Sequence, residues 1–190
     1  TYADGSSESV ISDGSWKAAE SPMLTSEIYD GEIYDARLEQ KNRDMPGFND
    51  SEWASVAVIN SSKNILSAST NELIKKHEVI KPIKVFITPK GEQVLDFGQN
   101  LVGWVNMTVS GKTGEKIILS HAEAIDKYGN LYFENLRNAK AQDTYILKGE
   151  GNENYEPHFT FHGFRYVRVE GISEPLNPDN FRAIALYSAM

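Results

Sequence analysis

Four carboxylates, Asp30, Glu32, Asp35 and Glu39, lie close together in the sequence. Paired carboxylates can hydrolyse glycosidic bonds, and clustered ones can hold Ca²⁺. The segment that carries them, GEIYDARLE, reads as a strand, so parity sets Glu32 on one face and Asp35 and Glu39 on the other. Neither spacing matches a calcium loop, and a solvated or salt-bridged face is the plainer reading. Asp30, Glu32 and Asp35 are nonetheless the candidate metal ligands of this region. Trp16, Tyr29, Tyr34 and Trp53 surround these carboxylates and Asn49 in the sequence, and aromatic faces beside polar groups suit sugar rings. Trp16, Tyr34, Asn49 and Trp53 are therefore the candidate carbohydrate-binding set, against the competing reading that the rings are core.

The histidines are His77, His121, His158 and His162, and only the last two are near one another. On a strand they share a face but stand well apart, and no spacing of the zinc kind occurs. His162, next to Gly163, reads as a buried, hydrogen-bonded packing residue. A serine nucleophile elbow, a P-loop and a dinucleotide fingerprint are all missing. The chain has no cysteine, which excludes disulfides and thiolate chemistry. Its net charge of −8 would repel nucleic acid and anionic membranes, so neither is expected as a partner. No apolar run approaches the roughly 20 residues that span a bilayer. With no signal peptide and Thr1 at its start, the chain is expected to be a piece of a longer protein.

The elements that must position these groups are strands. Residues 155–171, YEPHFTFHGFRYVRVEG, alternate large apolar groups with polar ones before Gly163 and occupy both parities after it. That pattern predicts one long central strand with both faces covered, with a bulge where the parity changes. Further strands are expected over 10–11, 33–38, 56–59, 85–88, 93–97, 103–109, 116–121, 143–147 and 181–187, with a hairpin around SGKTGE. Residues 60–76 read as a Ser-, Asn- and Lys-rich crossing, and 123–141 as the one long interval without strand, with a short helical stretch. At 190 residues and 40% hydrophobic, the chain can form one large or two small cores. The expected fold is all-β: an antiparallel β-sandwich of jelly-roll or concanavalin-like type, with little helix.

Five segments read together carry a family resemblance: SDGSW, YDGEIYDAR, LDFGQNLVGWV, SHAEAIDKYGNLYFENLRNAKAQDTYILKG and YEPHFTFHGFRYVRVEG. In order and spacing they resemble the bacterial α-L-rhamnosidases of glycoside hydrolase family seventy-eight. The resemblance implies a parent enzyme in which β-sandwich domains precede an (α/α)6 barrel. The barrel carries the catalytic acids, and water attacks with inversion between carboxyl groups roughly 6.5–9.5 Å apart. This chain has no room for such a barrel, so it is expected to be inert by itself. Residues 1–76 resemble the C-terminal part of the N-terminal β-sandwich domain, which in some members is a calcium-dependent rhamnose-binding module. Residues 77–190 resemble the second β-sandwich domain, which adjoins the barrel.

No catalytic residue is carried over, because none of the matching motifs is a catalytic one. A structural motif is: Asp96, Gly98, Gln99, Asn100 and Gly103 read as a rigid corner that sets this sandwich against its neighbour, and His162, Gly163 and Arg165 of the run 155–171 are counted with them. The expected function is a non-catalytic accessory region that scaffolds the catalytic barrel of the same parent chain. The alternative is a calcium-assisted rhamnose-binding module, with a rhamnose-containing glycan as partner. No cofactor is expected, Ca²⁺ being left open, and a periplasmic or secreted bacterial location is favoured.

Overall fold

The computed structural model describes residues 1–189. Its chain divides into two compact units, one of Thr1–Ser21 with Gln40–Thr70 and one of Pro22–Glu39 with Asn71–Met190. In chain order the first strands are β1 (Lys17–Ala18), β2 (Met23–Glu27), β3 (Gly31–Asp35), β4 (Ala54–Ser55), β5 (Lys75–Ile80), β6 (Lys84–Ile87) and β7 (Gln93–Val109). They are followed by β8 (Lys116–Ala122), β9 (Ala124–Ile125), β10 (Leu131–Tyr132), β11 (Gln142–Ile146), β12 (Glu153–Tyr155), β13 (His162–Glu170) and β14 (Phe181–Tyr187). No α-helix occurs among the described residues, and the helical turns are three short 3₁₀ segments.

The first unit is built mainly of turns. Asp13 and Asn49 side chains accept from the backbone N–H groups of Ser15 and Ser51, the Asx geometry that short polar residues favour. Antiparallel pairing of β1 with β4 joins its two segments, and the Lys17 ammonium lies 2.8 Å from Asp50. Residues 10–11 and 56–59, expected as strands, lie outside the ladder. Val10, Ile11, Val58 and Ile59 are exposed there, so there is no apolar face to bury a sheet against.

The second unit is a ten-stranded curled sheet in the order β2-β3-β11-β8-β13-β7-β14-β5, with β6 and β12 also paired to β7. It has the sandwich character expected, predominantly antiparallel, with one parallel pair between β11 and β3. The sheet curls because β7 serves two layers. Its first half pairs with β6 and the C-terminal half of β13, and its second half pairs with β14 and β12. Gly98, at φ +82°, lies between the halves, and the register with β13 slips between Phe164 and Tyr166. Bulges of this kind bend a strand and raise its twist. Leu95, Phe97, Val105, Met107, Phe164 and Phe181 close on one another inside, all of them buried. Burying each such side chain stabilises the fold by about 1.5–3 kcal/mol.

Several expectations need correction. The run 155–171 is two strands, β12 and β13, separated by the loop 156–161. Pro157 has no N–H to offer a ladder, and His158 gives its N–H to Glu32. Phe159 and Phe161 are consequently exposed. The bulge expected at Gly163 falls at Arg165, and the two strands expected over 93–97 and 103–109 are the single β7. SGKTGE does not close a hairpin, because β13 lies between β7 and β8. The helical stretch expected within 123–141 is only the 3₁₀ turn Glu134–Leu136.

Candidate functional site

Two constellations of the second unit place polar groups where chemistry or recognition can occur. The first is the corner at the bend of β7. There the Asp96 carboxylate accepts from the backbone N–H of Gly98 at 2.7 Å and from Arg165 Nε and Nη2 at 2.8 and 3.0 Å. Burial pushes the Asp96 carboxyl up, but the Arg165 guanidinium and the Gly98 N–H outweigh it and hold the group below its ordinary value. Gly103 sits where a Cβ would stand 1.9 Å from the carbonyl oxygen of Ile184, so only glycine lets β14 approach β7 here. The corner opens into a cleft of about 410 Å³ lined by Gln99, Asn100, Glu123, Gly163 and Tyr187, among others. Glu123 clamps two segments across it, accepting from Asn100 Nδ2 at 2.9 Å and Asn135 Nδ2 at 3.3 Å. Val102 points outward beside it and is half exposed.

The second constellation is buried. His121 on β8, Asp143 on β11 and His162 on β13 stand on three adjacent strands, and their ligand atoms lie within 4.8 Å of one another. His162 Nε2 is 3.1 and 3.2 Å from the two Asp143 oxygens, and His121 Nε2 is 3.9 Å from Oδ2. The two imidazoles stack with centroids 4.1 Å apart. Desolvation, then the neighbouring His162, lowers the His121 pKa to about 3, so this ring is neutral at ordinary pH. Burial pushes Asp143 upward, yet the hydrogen bond from His162, joined by the Glu32 N–H, prevails and holds it below the usual range. The spacing of His121 and His162 in the chain gives no sign of this cluster, since the curl of the sheet makes it.

A buried carboxylate network flanks the second constellation. Glu32, fully buried on β3, accepts from Tyr155 Oη at 3.0 Å, from the His158 N–H at 2.9 Å and lies 3.0 Å from His158 Nδ1. Glu153 on β12 accepts from Tyr145 Oη at 2.8 Å and from the N–H groups of Lys148 and Gly149 at 3.0 and 2.8 Å. Burial raises the Glu153 carboxyl, but these donors more than offset it and its pKa is lowered. Tyr34 stacks between Tyr145 and His158, with centroids 5.8 and 5.4 Å away.

The candidate metal ligands do not converge on one point. Asp30 pairs with Lys140 at 2.9 Å, Asp35 with Arg37 at 2.7 Å, and Glu32 turns to Tyr155 and His158. Hydrogen bonds from Lys140 and Arg37, respectively, hold the pKa of Asp30 and Asp35 below its ordinary value. The candidate sugar-binding residues are divided as well. Tyr34 belongs to the second unit, whereas Trp16, Asn49 and Trp53 belong to the first. Trp16 is half exposed, its indole N–H donating to the Ile11 carbonyl at 3.1 Å. Trp53 donates to Gln40 Oε1 at 2.9 Å and meets Phe48 edge to face at 5.7 Å. Sequence reasoning missed Glu123, His121 and Asp143 as site residues; His121 and Asp143 are buried on β8 and β11, whereas Glu123 is an exposed residue just past the end of β8.

The chain matches the family described as bacterial α-L-rhamnosidase concanavalin-like domain over residues 87–187. It also matches the α-L-rhamnosidase N-terminal domain over residues 1–78. The chain belongs to the bacterial α-L-rhamnosidase family. An α-L-rhamnosidase of Streptomyces avermitilis is 44% identical over 171 residues, which are 90% of this chain and 17% of that protein. One of Formosa agariphila is 35% identical over 188 residues, covering 96% of this chain and 20% of its own length. Among solved structures, the native α-L-rhamnosidase of Aspergillus terreus superposes with a TM-score of 0.92 at 42% identity, over 99% of this chain and 22% of that one. The S. avermitilis enzyme complexed with L-rhamnose superposes at 0.90 with 39% identity, over 99% of this chain and 18% of that one. The chain spans about a fifth of the length of these relatives.

Proposed function

We propose that this chain is a non-catalytic accessory β-sandwich region of an α-L-rhamnosidase, in which residues 77–190 scaffold a catalytic (α/α)6 region of the same parent chain. Residues 1–76 represent the C-terminal part of the parent's N-terminal domain on this reading, and they lend β2 and β3 to the second unit. The observation that carries the proposal is the match of almost the whole chain to only about a fifth of its relatives' length. The state of the carboxyls supports it. A glycosidase needs a carboxylic acid whose pKa is raised so that it can protonate the leaving oxygen. Among the described residues, the carboxyls that their surroundings clearly displace are displaced downward, the buried Asp96, Asp143 and Glu153 among them.

The corner of Asp96, Asn100, Glu123 and Arg165 is the face offered to the catalytic region, since it combines a braced backbone with the exposed Val102. Two measurements test the reading. The pure chain is incubated with an aryl α-L-rhamnoside, and no release of the aryl alcohol is expected; turnover by the chain alone would sink the proposal. Val102→Glu is then placed in the full-length enzyme, where loss of thermal stability of the catalytic region is expected and an unchanged melting profile would clear this face of the role.

A second reading, calcium-assisted binding of a rhamnose-containing glycan, is favoured by one feature of the first unit. A cleft of about 520 Å³ is lined by Asn42, Met45, Phe48 and Asn49 among others, the mix of aromatic and amide groups that sugars use. Isothermal titration with L-rhamnose, with and without Ca²⁺, separates the two: calcium-dependent heat supports the module and silence in both conditions rejects it.

A further inference from the structure

His121, Asp143 and His162 are more than a packed cluster, because of how the first of them is held. Ala141 has φ +46°, a left-handed backbone that costs an alanine about 1 kcal/mol or more. That conformation turns its carbonyl onto His121, which donates both its backbone N–H and its Nδ1–H to it, each at 2.9 Å. A carbonyl only accepts, so Nδ1 carries a proton, and in the neutral ring Nε2 is then the bare lone pair. This Nε2 is fully buried and has no hydrogen-bond partner. It faces the Asp143 carboxylate, itself an acceptor, 3.9 Å away. An unprotonated nitrogen and a carboxylate turned toward one another in a dry interior repel, and a cation between them removes that cost.

We propose that His121 Nε2, His162 Nε2 and the Asp143 carboxylate form a structural site for a divalent transition metal of the zinc class. Two imidazoles and a carboxylate are borderline donors that suit Zn²⁺ and Co²⁺ and are poor ligands for Ca²⁺. With metal–ligand bonds of about 2.0–2.1 Å, tetrahedral ligand atoms stand about 3.3 Å apart. The His162–Asp143 separations of 3.1 and 3.2 Å already meet that value. The His121–Asp143 separation of 3.9 Å exceeds it by about 0.6 Å, so the His121 ring or the Asp143 carboxylate must shift by that much on binding. The outer groups are those that metal-bound ligands use. The Ala141 carbonyl orients His121, and the Glu32 N–H donates to Asp143 Oδ1 at 3.0 Å. Bound there, the ion ties β8, β11 and β13 together at the centre of the sheet.

The test uses the tag-free chain, stripped with a chelator, unfolded in urea and refolded with excess Zn²⁺ or Co²⁺ before desalting. Refolding in the presence of metal is needed because the site is closed to solvent. The expected result is about one equivalent of metal retained per chain, a raised melting temperature, and a visible absorption band of protein-bound Co²⁺. His121→Gln should abolish the band, whereas His77→Gln and His158→Gln should keep it. Refolded protein with no retained metal, or equal retention by His121→Gln, overturns the site. Should His121→Gln not fold, X-ray absorption of the Co²⁺-loaded wild type decides: two imidazoles in the first shell support the site and none rejects it.

Discussion

Replacing Glu32 should loosen the segment Pro22–Glu39 from the sheet it has joined. The carboxylate is fully buried and holds three groups: Tyr155 Oη, the His158 N–H and the His158 ring. In Glu32→Ala the buried Tyr155 hydroxyl and the His158 N–H lose their acceptor. An orphaned buried donor such as the Tyr155 hydroxyl costs about 1–3 kcal/mol, the part-buried His158 N–H costs less, and the void left by the side chain adds to both, so a loss of roughly 3–5 kcal/mol is expected. For a chain of 190 residues this lowers the melting temperature by roughly 10 °C. Glu32→Gln keeps one oxygen but turns its NH₂ toward a donor, and about half that loss is expected. The assay is thermal and urea unfolding followed by circular dichroism, for Glu32→Ala, Glu32→Gln, Tyr155→Phe and the Glu32→Gln/Tyr155→Phe pair. Residues in one hydrogen-bond network should couple by about 0.5–3 kcal/mol. Additive single effects, or Glu32→Ala within about 0.5 kcal/mol of wild type, the level typical of surface changes, would refute the claim that this network attaches β3.

Asp96→Asn should weaken the corner in a pH-dependent way. Because the folded pKa of Asp96 is depressed, its contribution is complete above the ordinary carboxylate value of about 3.9 and is lost as pH falls through the lower folded value. The stability gap between wild type and variant should therefore be flat near neutrality and close in acid, and a gap that widens in acid would contradict this. Gly103→Ala brings a Cβ to 1.9 Å from the Ile184 carbonyl, so β7 and β14 must part; loss of soluble protein or a fall in urea midpoint is expected. Glu153→Gln, which faces its amide toward the Tyr145 hydroxyl or the Lys148 and Gly149 N–H groups, should cost about 1–3 kcal/mol in urea titration. Phe159→Ser alters an exposed ring in the loop 156–161 and should change stability by less than about 0.5 kcal/mol.

The strands with the clearest alternation were legible from residues alone. β11, β13 and β14 begin or end within a few residues of their expected limits, because period-two burial is a local signal that a sheet converts directly into faces. The all-β class followed from the same pattern, and the rhamnosidase family from ordered motifs. Locality also explains the errors. Phe159 and Phe161 continue the apolar pattern of β13, yet Pro157 and the pull of Glu32 on the His158 N–H take that stretch out of the ladder. The sequence around SGKTGE has the form of a hairpin, but strand order is decided by which strands bury the largest shared core, and β13 wins the place between β7 and β8.

Partnership across the sheet was legible nowhere in the chain. Asp35 and Arg37 are near enough to pair from sequence alone, as they do. Glu32 meets Tyr155 across 123 positions, Asn100 meets Glu123 across 23, and Asp143 meets His162 across 19. Residue types and periodicity determined what this protein could be made of: strands, an acidic surface, no thiol chemistry and the motifs of one enzyme family. Which buried carboxylate faces which histidine, and which segment of the first seventy residues lends its strands to the second unit, was decided only by the curl of the sheet. Those contacts depend on register and strand order, which are set by the packing of the whole core rather than by any stretch of sequence.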